Sequence, residues 1–191
     1  PAGVLWFDGG LFVASPPDLL YCKDTDGDGK ADVREVVITG FDLSNPNQCA
    51  NSLRWSFDSR IELMPSNTGG VLQPLRWQKT ESGGESRPIQ IRGRDVSFDP
   101  RTGEMRPESG GSQYGMTFDA FGRKFESSNS APIEMVMYED RYIARNPYLA
   151  APSSRVPIWV DGNSVYRTSP VEPWRIVRTE MRVRGVFSGP V

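Results

Sequence analysis

Apolar and polar residues alternate along this chain in short runs, and nearly every run has the character of a β-strand. GLFVAS (10–15), DLLYCK (18–23), REVVITGF (34–41), SLRWSF (52–57) and RIELM (60–64) alternate or concentrate β-branched and aromatic residues. IQIRG (89–93), DVSFD (95–99), GMTFD (115–119), KFESS (124–128) and EMVMY (134–138) do the same. The opening PAGVLWFDGG is strand-like as well. Helical periodicity is almost missing. One short helix is predicted over 138–146, YEDRYIARN, with acids early, arginine late and Pro147 as the stop.

A local unit recurs: an apolar strand, an aromatic–Asp pair, a turn, and a second strand. It occurs at Phe7-Asp8, Phe57-Asp58, Phe98-Asp99 and Phe118-Asp119. Asp opens such turns because its carboxylate accepts from backbone N–H groups two residues on. The hairpins at 7, 57 and 118 recur 50 and 61 residues apart, near the ~40–50-residue length of one propeller blade. The hairpin at 98 then fits as an outer pair within a blade. The pattern predicts an all-β chain, a β-propeller in which 1–191 is one segment cut at both ends. A ring needs at least ~4 blades, so this stretch is expected to be a partial arc. A β-sandwich is the alternative.

Composition narrows the chemistry. With 37% hydrophobic and 24% charged residues the chain is globular rather than disordered. Its net charge of -2 gives no reason to expect nucleic acid as a partner. Histidine is absent, which excludes a histidine base, a Ser-His-Asp triad and His-ligated zinc or copper. Cys22 and Cys49 are two free thiols or one disulfide.

The segment CKDTDGDGKADVREVV (22–37) carries the D-x-D-x-D-G-x5-E spacing of a calcium loop. Asp24, Asp26, Asp28, Asp32 and Glu35 supply carboxylates, Lys30 a backbone carbonyl, and Gly29 the sharp turn. Ca²⁺ takes hard oxygens, and acids at every second residue converge as such a loop wraps. Both flanks are strand-like, so the loop is expected at a hairpin tip with a structural role. Weak sites of this kind serve where free calcium is high, outside the cytosol.

Long segments bear a resemblance to a known family. They include GLFVASPPDLLYCKDTDGDGKADVREVVITGF, NSLRWSFDSRI, IRGRDVSFDPRTGEMRPESGGSQYGMTFDAFGR, SNSAPIEMVMYEDRYIARNPYL and SPVEPWRIVRT. In order, they resemble the membrane-bound dehydrogenase domain of large multidomain proteins from planctomycetes and related bacteria. That family looks like the six-bladed propeller of quinoprotein glucose and sorbosone dehydrogenases. The resemblance implies a periplasmic or exported enzyme, membrane-associated through parts outside this stretch, that oxidises a sugar or alcohol with pyrroloquinoline quinone and calcium. It also implies a c-type cytochrome domain elsewhere in the full protein. The sugar enzymes place a histidine base just before a strand like SLRWSF. Here that position holds Gln48, Cys49, Ala50 and Asn51, so no catalytic residue is assigned. Arg92, Arg94 and Asn129 are the candidate quinone contacts. The alternative function is a non-catalytic, calcium-stabilised propeller that binds glycans or partner proteins.

Three further expectations follow from the residues. Trp6 and Trp55 should pack in blade cores, because they sit in strand patterns. Arg94 and Asp95 should form an ion pair. The SNS at 128–130 should be a turn.

Overall fold

The structure is a computed structural model, and it describes residues 2–79, 87–159 and 168–186. The chain divides into two units, residues 1–160 and 161–191.

The first unit is built from three antiparallel sheets, none of which closes on itself. The first sheet runs β1 (Gly3–Phe7), β2 (Gly10–Ser15), β3 (Asp18–Lys23), β4 (Val33–Phe41). The second is formed by β5 (Asn51–Trp55), β6 (Ile61–Met64), β9 (Asp95–Phe98) and β10 (Met105–Glu108), in spatial order β10-β9-β6-β5. The third is β11 (Tyr114–Phe118), β12 (Lys124–Ser127), β13 (Glu134–Val136) and β14 (Arg155–Pro157). The hairpin of β7 (Gly70–Pro74) and β8 (Ile89–Ile91) adds to the first sheet through β4. Thus the all-β expectation holds, all ten quoted runs contain strand, and all four aromatic–Asp hairpins form. The hairpins at 57 and 98 share one four-stranded sheet.

Turn chemistry explains the hairpins. Asp58, Asp99 and Asp119 each accept the N–H two residues on, from Arg60, Arg101 and Phe121. Asp8 does not use this device. It sits at φ 47° before Gly9 at φ 74°, the left-handed pair that a two-residue hairpin demands. Where β7 joins β4, Gly40 and Gly70 allow the backbones to touch. A Cβ on Gly40 would lie 2.0 Å from the Val71 carbonyl oxygen.

The apolar core lies in the first two sheets. Phe12 stacks on Phe7 (5.3 Å), meets Tyr21 (5.5 Å), and takes Phe98 of β9 edge-on at 5.4 Å. Ile38, Leu53, Ile61, Leu72 and Ile91 close around them. Trp6 and Trp55 do not join this core. Alternation along β1 turns Leu5 and Phe7 inward and leaves Trp6 65% exposed. Trp77 fills the tryptophan slot instead, packed 6.0 Å from Phe98. Gly103 makes room for it, since a Cβ there would stand 2.3 Å from the indole.

The helix expected over 138–146 is shorter, α1 at Asp140–Ile143. Its start is held from outside: Glu139 accepts the Ser109 N–H, and Ser109 Oγ accepts the Asp140 N–H. The second unit contains a helix that the sequence pattern does not announce, α2 at Pro173–Val183. Trp174, Val177 and Met181 do recur at i, i+3 and i+7, but arginines between them obscure the pattern. Proline at its first turn suits a helix start. No helix among the described residues is long and apolar enough to cross a membrane.

Candidate functional site

Two clusters of chemistry stand out in the first unit: the acidic loop between β3 and β4, and a buried charge cluster between the second and third sheets.

The acidic loop is a hairpin tip, as its strand-like flanks suggested. The carboxylates of Asp24, Asp26 and Asp28 offer ligand atoms that all lie within 4.8 Å of one another. The loop is wound around Asp24, which accepts the N–H of Gly27 (2.7 Å), Gly29 (2.9 Å) and Asp26 (3.2 Å). These bonds hold the Asp24 carboxyl below the usual carboxylate range, the Gly27 bond most of all. Asp32 folds back and accepts both the N–H and the hydroxyl of Thr25, each at 2.8 Å, which lowers its pKa too. Lys30 reaches Asp28 at 3.8 Å. Glu35 turns to Arg76, at 3.7 Å, rather than to the aspartates. Of the six expected metal residues, the structure therefore converges three carboxylates, engages Asp32 with Thr25, pairs Lys30 with Asp28, and sends Glu35 to an arginine. A trio of hard oxygen donors on a glycine-bent loop fits a divalent cation.

The three candidate quinone contacts each have their own partners. Arg92 lines a pocket with Asp42 and Gln90. Arg94 pairs with Asp140 at 3.3 Å, and not with Asp95, because neighbouring residues entering a strand point to opposite sides. Asn129 lies in the 128–131 turn; its N–H donates to Gln113, and it accepts from the Tyr114 hydroxyl. Cys22 and Cys49 are free thiols.

The buried cluster was not foreseen. Lys124 of β12 has a side chain only 4% exposed, and its ammonium lies 3.0 Å from Glu62 of β6 and 3.2 Å from Asp95 of β9. Glu126, two residues on and therefore on the same face, is 4.0 Å away. Burial raises the Glu126 carboxyl to about 10, and its hydrogen bond to Asp95 adds to the effect. Glu126 Oε1 is buried without a hydrogen-bond partner. Burial also raises Glu62, against the pull of Lys124. Burial alone would lower Lys124, but Asp95, Glu62 and Glu126 together outweigh it and raise the pKa. Backbone completes the cluster: Gly111 N–H donates to Asp95 and Ser112 N–H to Glu126.

Beside it stands Glu108 at the end of β10. Ser97 donates to one of its oxygens, and Arg141 of α1 to the other. Behind Ser97, the buried Arg60 donates to Ser97 Oγ at 2.9 Å. Burial first, and then the nearby Glu139, raise Glu108 to about 7 in spite of the serine. The sequence held one signal for this cluster. Lys124-Phe125-Glu126 places two charges on one strand face and an aromatic on the other.

These raised carboxyls set the pH response. The native chain keeps protons on Glu108 and Glu126 that the unfolded chain releases above about 4.5. Their stabilisation is complete below that value and fades as pH rises through about 7 for Glu108 and about 10 for Glu126. The lowered aspartates act the other way, and only at the acid end. Scanning calorimetry should therefore give a higher Tm at about pH 5 than at about pH 8. Glu108→Gln should flatten part of that slope. A Tm that rises over the same interval would overturn the assignment.

Comparison with curated proteins and with solved structures yields no match. The family model described as "Domain of unknown function (DUF7133)" matches residues 1–188, and the chain belongs to that family.

Proposed function

We propose that this chain is an arc of a calcium-stabilised β-propeller that serves as a ligand-binding module outside the cytosol. The observation that carries the reading is the arrangement of first strands: β5 lies against both β1 and β11. Three antiparallel meanders whose leading strands stand side by side are the layout of consecutive propeller blades around an axis. The β7–β8 hairpin is then an addition to the outer edge of the first blade. The loop at Asp24, Asp26 and Asp28 would take Ca²⁺ and pin the long β3–β4 turn, a structural role.

Calorimetric titration of the chain with Ca²⁺ tests this. We expect saturable binding, a Tm that rises with calcium by mass action, and loss of both in Asp24→Ala/Asp28→Ala. Equal binding by wild type and variant would remove the calcium loop from the reading.

A second reading has its own support. The resemblance to quinoprotein sugar and alcohol dehydrogenases left no base in a histidine-free chain. Glu108, near half-protonated at neutral pH and facing a groove, is a group that could take a hydroxyl proton. Arg92, Arg94 and Asn129 are the residues this reading offers to pyrroloquinoline quinone. Quinone- and sugar-dependent reduction of a dye, lost in Glu108→Gln, would favour the enzyme. Calcium binding without quinone binding would favour the module.

A further inference from the structure

A groove of about 510 Å³ lies between the β5–β6 turn and the β11–β12 turn. Glu62, Glu108 and Lys124 line its polar part, with Glu139 and Arg141 beside them. These groups hold one another: Lys124 is tied to Glu62, and Arg141 to Glu108. The polar lining is thus fixed before any ligand arrives, and it mixes donors with acceptors. An anion would face the glutamates, and a cation would face Lys124 and the two lining arginines, Arg123 and Arg141. A hydroxyl, which both donates and accepts, suits such a surface in either direction.

The lip is aromatic. Phe57 is 73% exposed and Phe121 84% exposed, each on a turn from a different sheet. Large rings left in water at the mouth of a polar cavity are an unfilled apolar surface. Their placement is also fixed. The Phe57 ring rests over Gly122, where a Cβ would come within 3.2 Å of it. Arg123 is held by Asp119 at 2.6 Å and stacks 5.3 Å from the Phe121 ring. Rings above and hydroxyl-binding groups below match a pyranose, which has an apolar C–H face and polar edges.

We propose that this groove binds a neutral polyhydroxylated ring, either a free sugar or a unit of a glycan, with Phe57 and Phe121 as the stacking lip and Glu62, Glu108 and Lys124 as the hydroxyl-binding floor. The proposal rests on the ligand-binding reading above and gives it a site and a ligand class.

Saturation-transfer NMR of the whole chain tests it, using methyl glucoside, methyl mannoside, cellotetraose and maltotetraose at up to about 10 mM, the range of weak affinities. Saturable binding of at least one is expected. Phe57→Ala/Phe121→Ala, which changes only exposed side chains, should weaken it by about tenfold or more. Trp6→Ala, exposed on β1, should leave it unchanged. Binding of the tetrasaccharides alone points to a glycan, and equal binding of the methyl glycosides to a free sugar; both support the site. The absence of binding by all four overturns the proposal, as does binding that survives the double phenylalanine change. Calcium calorimetry on the same preparation reads the calcium loop separately, so either can fail alone.

Discussion

Replacing Lys124 with methionine will destabilise the fold by about 3–5 kcal/mol, the cost of leaving buried carboxylates without their cation. Methionine keeps most of the volume, so the loss is electrostatic. Glu62 and Asp95, at 3.0 and 3.2 Å, would face each other with no positive charge between them. Neutralising the partners should reverse the damage: Lys124→Met/Glu62→Gln/Asp95→Asn should recover most of the loss, since it is the unpaired charge that costs. Urea denaturation of the wild type, the single variant and the triple variant measures this. A single variant within about 1 kcal/mol of the wild type would mean that the cluster is solvated and the ion pair weak.

The second large effect is expected at Phe12. Phe12→Ala should cost about 3–5 kcal/mol. The side chain is fully buried and touches aromatic rings from three other strands, β1, β3 and β9. Because Phe98 belongs to the second sheet, the cavity would open between sheets rather than within one. Phe12→Leu, which refills part of the space, should cost clearly less. Both are read from urea midpoints at unchanged m-value. A loss below about 1 kcal/mol for the alanine variant would show that the two sheets close over the gap.

Much of the framework was legible because it depends on neighbours in sequence. The alternation of Val4, Leu5, Trp6 and Phe7 names the inner and outer faces of β1, although the assumption that tryptophan goes inside put Trp6 on the wrong one. Asp58, Asp99 and Asp119 announce their turns through bonds that span two residues. The acidic loop is equally local, and its three leading aspartates do converge. What could not be read is set by distant pairings. Lys124 meets Glu62 from 62 positions away. Nothing near KFESS distinguishes a charge that will be buried from one that will face water. β7 was hidden by its own composition, since glycine at one end and proline at the other look like loop. Its place is fixed by β4, whose backbone Gly40 and Gly70 allow it to approach.

The order in which strands fill the first two sheets has a consequence for how the chain acquires its structure. After β4 the chain leaves the first sheet to make β5 and β6, returns to add β7 and β8, then crosses again to complete the second sheet with β9 and β10. The two sheets are therefore stitched together by the backbone itself. Neither can be finished until roughly the first hundred residues are present, and each return closes a loop around a part already built. Such long-range closures slow folding, because chain entropy is lost before the contacts that compensate for it are made. They also bind the two sheets into one cooperative block. The third sheet, whose strands pair in chain order with no strand of another sheet between them, can assemble on its own and dock afterwards, with the Lys124 cluster as the seam.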